Sequence, residues 1–293
     1  MVDKNPNHKK EDPNKQSESK ETRAVNRELE IQDVNEDFMS LKNKLLYYIN
    51  KENLNEFSVV TKPESRFLML DSDFSKEDVI EQGLDLCIIV DGSESMYPYR
   101  IYQKKSLYFS LMDLEDFVFS STDLKPEDLN KIRIAYVQYD NRDNDEDDED
   151  IKNSKNLKVV DFVEYKQLGD ICKEIDKLDI KKHSIKKRNV MDGLKAAGEL
   201  NWNEDSAKVI LHYCADSQYG KKFTSNPKGM PEDYDPFPEG IKLDLETIYQ
   251  KLADLNCVYN LIKFNDRILA LVEDLNKNDI NVNSNSPKLI ELK

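Results

Sequence analysis

An aspartate followed at alternating positions by two serines, Asp91, Ser93 and Ser95, closes the stretch DLCIIVDGSESMYPY (85–99). One carboxylate and two short hydroxyls at that spacing put three hard oxygen donors on one turn. Mg²⁺ prefers such donors, in octahedral geometry and with several waters retained. The pattern also has a local use, because Asp and Ser hydrogen-bond nearby backbone in turns and cap helices that follow. Its place directly after an apolar run favours the metal-type reading, since ligands of an open parallel sheet gather beyond the carboxyl ends of its strands. By the same rule Asp216, at the end of VILHYCAD (209–216), is the fourth candidate ligand.

Other chemistries lack their residues. There is no GxGxxG and no GxxxxGK[ST] to cradle a nucleotide phosphate. A G-x-S-x-G elbow is missing, because Gly92-Ser93-Glu94-Ser95-Met96 has no second glycine. A phosphate-ester hydrolase using Asp91 would want a second aspartate close by, and the next positions are Gly92 and Ser93. His8, His183 and His212 are isolated, and His212 falls inside an apolar run, as a core residue would. Cys87, Cys172, Cys214 and Cys257 show neither metal-knuckle nor CxxC spacing and read as buried free thiols of a reducing cytosol.

The 293 residues carry 58 acidic against 43 basic side chains, a formal charge of -15. Such a chain repels a polyanion, so nucleic acid is not an expected partner. No apolar stretch is long enough to span a bilayer, and the amino end, MVDKNPNHKKEDPNKQSESKETR, has no apolar core of the secretory kind. A cytoplasmic location is expected.

The elements that would position the candidates begin late in the chain. Residues 1–23 are polar and charged and read as a disordered tail. Residues 24–80 read as a helical extension, with Val34, Phe38, Leu41, Leu45 and Ile49 at helical spacing up to about residue 50. Within 81–278 short apolar runs alternate with amphipathic ones. Strands are expected at 84–90, 132–139, 157–165, 207–215 and 258–264, and helices at about 97–120, 166–178, 190–201, 243–255 and 266–275. Residues 279–293 read as a C-terminal tail. This is an α/β pattern, a doubly wound, mostly parallel central sheet covered on both faces. The connection DNRDNDEDDEDIKNSKN has no helical period, so the third strand is expected to return as an antiparallel edge. That acidic loop also invites a calcium reading, but counting from Asp143 puts Asp148 where an EF-hand loop needs Gly and Ser154 where it needs Glu. A solvated hairpin loop accounts for it.

LDLCIIVDGSESM resembles the first strand and metal-ion-dependent adhesion site of a von Willebrand factor type A domain, and the order of elements is similar over roughly residues 82–276. The resemblance is closest to the A domains that accompany atypical α-kinases: VILHYCADSQYGKKF (209–223) is similar to their fourth-strand segment, MDGLKAAGELNW (191–202) to the helix before it, and YDNRDND (139–145) to a segment after the second strand. It implies a Rossmann-like fold and a divalent site, Mg²⁺ at Asp91, Ser93, Ser95 and Asp216, that receives an acidic residue from a protein partner.

The sequence departs from the family where a second ligand motif belongs, at KKHSIKKRNVMDGL (181–194). Lys186, Lys187 and Arg188 stand there, and a unit positive charge about 4 Å from Mg²⁺ repels it by roughly 8 kcal/mol at an effective dielectric near 20. Either these side chains point away, or a cation of the protein takes the metal's place and meets the partner's carboxylate itself. The family's histidine after the fourth strand is also missing, and no Gly-rich loop, HRD or DFG of a kinase is present. The expectation is a non-catalytic interaction module with a partly degenerate adhesion site. The alternatives are a structural subunit with a vestigial site and a Mg²⁺-dependent phosphate-ester hydrolase.

Overall fold

The computed structural model describes residues 57–58, 76–120, 128–140, 157–180, 190–216, 244–285 and 290–291. The expected helix at 24–50, the acidic loop beyond Asp140 and the basic run Lys186–Arg188 lie outside the described residues.

A short helix, α1 (Lys76–Gln82), leads into β1 (Leu84–Asp91) through Gly83. Gly83 takes a φ of +90, where its N–H bonds back to the Val79 carbonyl at 2.9 Å. A side chain there would also press to within 2.7 Å of the Lys131 carbonyl oxygen. Then follow α2 (Arg100–Ser120), β2 (Ile132–Tyr139), β3 (Leu157–Glu164), α3 (Leu168–Lys177), α4 (Val190–Gly198), β4 (Ala207–Cys214), α5 (Leu245–Asp254), β5 (Val258–Lys263), α6 (Leu269–Lys277) and β6 (Val282–Asn285).

The six strands lie in the order β3-β2-β1-β4-β5-β6. All neighbours are parallel except β3, which pairs antiparallel with β2 as the edge. The doubly wound fold with one antiparallel edge expected from the sequence is thus present. Two features go beyond that reading. The sheet runs past residue 278, since β6 pairs with β5 through Tyr259–Val282 to Ile262–Asn285. Its four residues, VNSN, carry one apolar side chain and give no strand signal. And α1, inside the segment read as an extension, brings Val79 into the core.

Every residue of β1 is buried. Leu84, Leu86, Ile88 and Val90 join one core with α1, α2 and α3, whereas Cys87 and Ile89 join a second core with α4, α5 and α6. Alternation along the strand divides the two. The second face also carries polar side chains at both ends of the strand. Asp85, fully buried, accepts from Arg133 Nε at 2.8 Å and Nη2 at 2.6 Å, and from the Asn203 N–H at 2.7 Å. The guanidinium stacks 4.8 Å from the Phe162 ring, which packs edge-on against Trp202. This latch holds the loop after α4 against the amino ends of the strands.

A buried carboxylate that loses its bidentate partner keeps most of its desolvation penalty. Arg133→Leu is therefore expected to cost about 3 kcal/mol in urea unfolding. Removing the exposed Lys251–Glu199 pair (2.9 Å) by Lys251→Ala should cost under about 1 kcal/mol. Equal losses for the two substitutions would contradict this account of the latch.

Candidate functional site

Because β1 lies between β2 and β4, the connections leaving these strands diverge to opposite sides beyond its carboxyl end. That is where open α/β sheets leave a crevice. The register sets Asp91 opposite Tyr139, the last residue of β2. Gly92 N donates to the Tyr139 carbonyl at 2.7 Å, and the chain then turns into a 3-10 helix, Glu94–Tyr99.

Asp91, Ser93 and Ser95 do come together. Asp91 Oδ1 accepts the Ser93 N–H at 2.8 Å, Ser95 Oγ donates to Asp91 Oδ2 at 3.3 Å, and the two serine hydroxyls are 2.7 Å apart. The first of these bonds is an Asx turn. Capping, the other half of the local reading, is not seen, for Ser93 makes no side-chain cap bond to the 3-10 helix. Asp91 and Ser93 are both 1% exposed and Ser95 is half-buried, so the carboxylate lies at the floor of the strand end.

Asp216 is also buried, but its Oδ2 lies 3.6 Å from Arg267 Nη1. A cation of the protein thus stands beside this carboxylate, and among the described residues it comes from the turn after β5. Its signal was legible: NDR (265–267) follows the fifth strand at the same carboxyl edge of the sheet. Among the described residues no group of three or more His, Cys, Asp or Glu is placed to hold a metal ion. The oxygens of Asp91, Ser93 and Ser95 fit part of a Mg²⁺ sphere, with water required for the remainder.

Three further residues shape the strand end without a motif to announce them. Gln103 of α2 is fully buried and donates from Nε2 to the Asp91 carbonyl at 2.8 Å. Cys214 Sγ lies 3.0 Å from the Asp216 carbonyl oxygen and 3.6 Å from Asp91 Oδ2, so the ends of β1 and β4 meet through one sulfur. Burial, with Asp91 adding to it, pushes the Cys214 thiol far above its ordinary value, and it stays protonated. Tyr139 donates to Cys214 Sγ at 3.0 Å and contacts His212 Nε2 at 2.9 Å. His212 Nδ1 is 2.7 Å from the Tyr259 hydroxyl. His212 is therefore a core residue, as the sequence indicates, and burial lowers its pKa to about 3.

Helix α4 closes over this group at a glycine. A Cβ on Gly193 would fall 2.4 Å from Tyr139 Cδ1, whereas one on Gly169 in α3 meets nothing within 4 Å. Gly193→Ala is expected to cost about 1–3 kcal/mol by overpacking. Gly169→Ala should be neutral or stabilising by up to about 1 kcal/mol, because a helical glycine is replaced in open space. Thermal unfolding of both variants separates a spatial requirement for Gly193 from a mere helix propensity.

Strand order and register define a doubly wound α/β domain, with one antiparallel edge strand in an otherwise parallel sheet. No protein-family model and no curated protein matches the chain. Solved structures do. Human COPII-coat protein Sec24c is 13% identical over 69% of this chain and 30% of its own, at a TM-score of 0.42. Mussel byssus proximal thread matrix protein 1, with a zinc-occupied MIDAS motif, is 13% identical over 69% of this chain and 43% of its own, at 0.40. The pilus adhesin SpaC of Lactobacillus rhamnosus GG is 9% identical over 69% of this chain and 28% of its own, at 0.41. The chain spans less than half the length of each, and the fold class rests on strand order and register rather than on these likenesses.

The neutral His212 carries a pH consequence. Its folded pKa of about 3 lies below its ordinary 6.5, so the unfolded chain binds the extra proton between those values. The contribution is fully present above about pH 6.5 and is lost as pH falls towards 3, at roughly 1.4 kcal/mol per unit. Urea unfolding of His212→Gln against the unsubstituted protein should show a flatter decline for the variant between about pH 6.5 and 4.5. Parallel declines would mean that His212 titrates normally in the fold.

Proposed function

We propose that this chain is a non-catalytic protein-interaction module whose recognition edge is the carboxyl end of its sheet, where an acidic residue of a protein partner is received. The observation that carries the reading is the convergence of the Asp91 carboxylate with the Ser93 and Ser95 hydroxyls at the end of the central strand. Asp91, Ser93 and Ser95 would hold a divalent cation such as Mg²⁺, with Asp216 reaching it directly or through water. Such an ion supplies positive charge and an open coordination position for the partner's carboxylate. Lys186, Lys187 and Arg188, outside the described residues, belong to the same reading as cations that contact the partner. Four free cysteines favour a cytosolic setting.

A second reading has its own observation. Asp91 already accepts from Ser93 and Ser95, and Asp216 faces Arg267. In this version the strand end is a self-satisfied turn, and Arg267, 41% exposed along its side chain, meets the partner's carboxylate without metal.

Calorimetric titration with Mg²⁺ and Mn²⁺ separates the two. The first reading expects saturable binding that Asp91→Asn abolishes. It also expects Arg267→Gln to strengthen binding by roughly three- to tenfold, since a competing charge is removed from beside Asp216. Absence of heat in both the unsubstituted protein and Arg267→Gln would sink the divalent site and leave the metal-free version.

A further inference from the structure

The hydrogen-bonded group beneath Asp91 has a direction, which follows from what each atom can do. Cys214 Sγ faces two oxygens, the Asp216 carbonyl at 3.0 Å and the Asp91 carboxylate Oδ2 at 3.6 Å. A backbone carbonyl only accepts, so the single thiol hydrogen must point towards the strand ends. The sulfur then has only lone pairs left for Tyr139, whose hydroxyl at 3.0 Å must donate to it. With its one hydrogen committed, the Tyr139 oxygen accepts from His212, which puts the proton on Nε2, 2.9 Å away. A neutral imidazole with Nε2 protonated has a bare Nδ1, and the Tyr259 hydroxyl 2.7 Å away donates to it. Tyr139, His212, Cys214 and Tyr259 are each fully buried, so bulk solvent does not reach them.

We propose that His212 is a positioning residue for the recognition edge: locked as the Nε2–H tautomer between Tyr259 and Tyr139, it directs through Cys214 a one-way hydrogen-bond chain that fixes where the ends of β1 and β4 meet. Its functional value rests on the reading of Asp91 and Asp216 given above; its geometry does not. Without the imidazole hydrogen on Nε2, Tyr139 would turn its own hydrogen towards the ring. Cys214 would lose that donor, and its thiol hydrogen could turn to the Tyr139 oxygen instead of the strand ends. The polar face of the sheet therefore bears on the orientation of the Asp91 carboxylate, which lies on another strand, 123 residues from Cys214 in the chain.

The tautomer is directly readable. The protein has 3 histidines, so the ring nitrogens of the ¹⁵N-labelled full chain are few enough to assign, with His212→Gln identifying its own signals. The expected result is a His212 ring protonated on Nε2 and bare on Nδ1. Cys214→Ala removes the acceptor for Tyr139, which then donates to Nε2, and the ring should change to the Nδ1–H form. Cys214→Ser restores an acceptor and a forward donor and should return the ring to Nε2–H. A role in packing alone would not move the proton between nitrogens when a sulfur two links away is deleted.

An Nδ1–H ring in the unsubstituted protein, or the same tautomer in all three proteins, would overturn the proposal. Mn²⁺ titration of the same samples keeps the two readings apart. A tautomer that follows the expected pattern with no metal heat in any sample upholds the chain while the divalent site fails. Metal binding with an unresponsive tautomer upholds the site while the chain fails.

Discussion

The central strand has no solvent-facing residue, and that constraint governs the rest of the molecule. A strand buried on both faces and paired along both edges has nowhere to place a polar side chain cheaply. Yet β1 carries an aspartate near its start and another at its end, both essentially inaccessible. Each must be satisfied from within. At the start a guanidinium and a backbone amide do so, and at the end two residues of the following turn and a thiol. The first arrangement pins a loop; the second leaves oxygen atoms gathered where the chain connections diverge. Under the proposed function, structural and recognition roles are divided between the two ends of one strand.

The two cores differ in character for the same reason. The face covered by α1, α2 and α3 receives the even-numbered residues of β1, all aliphatic. The other face receives Asp85 and Asp91, and next to them a histidine, tyrosines and a cysteine from β2, β4 and β5. Polar groups inside a core are acceptable only as a connected set, because a half-satisfied one loses more than an apolar core would. Gly193 lets α4 lie directly on Tyr139, which keeps that set covered.

Much of this was legible before any coordinates. Apolar runs of Val, Ile and Leu gave five of the six strands of the sheet, and the absence of a helical period between 140 and 156 gave the antiparallel edge, because local pattern alone decides such features. Asp91, Ser93 and Ser95 were readable because they are neighbours in sequence. Strand β6 and helix α1 were not, since VNSN and KEDVIEQ carry little hydrophobic signal and gain their structure from an existing sheet. The pairing of Asp216 with Arg267 and the contact of Tyr139 with Cys214 depend on register between strands distant in the chain. No local pattern encodes that, although the turn after the fifth strand lies at the same edge and carries a cation in Arg267.

The strand order also bears on how the chain reaches this state. Leu84 of β1 pairs with Ala207 of β4, and the Cys214–Asp91 contact closes a separation of 123 residues. The innermost strand is therefore made first and must wait for a neighbour that emerges much later, with only β2 available in between. Contacts this far apart slow folding because chain entropy is lost before they form. During synthesis LDLCIIV is an uncovered apolar segment with high strand propensity, the kind that pairs wrongly when left exposed. The aspartates that bracket it, at Asp85 and Asp91, place charge within and directly after that segment, where it opposes self-association of nascent chains.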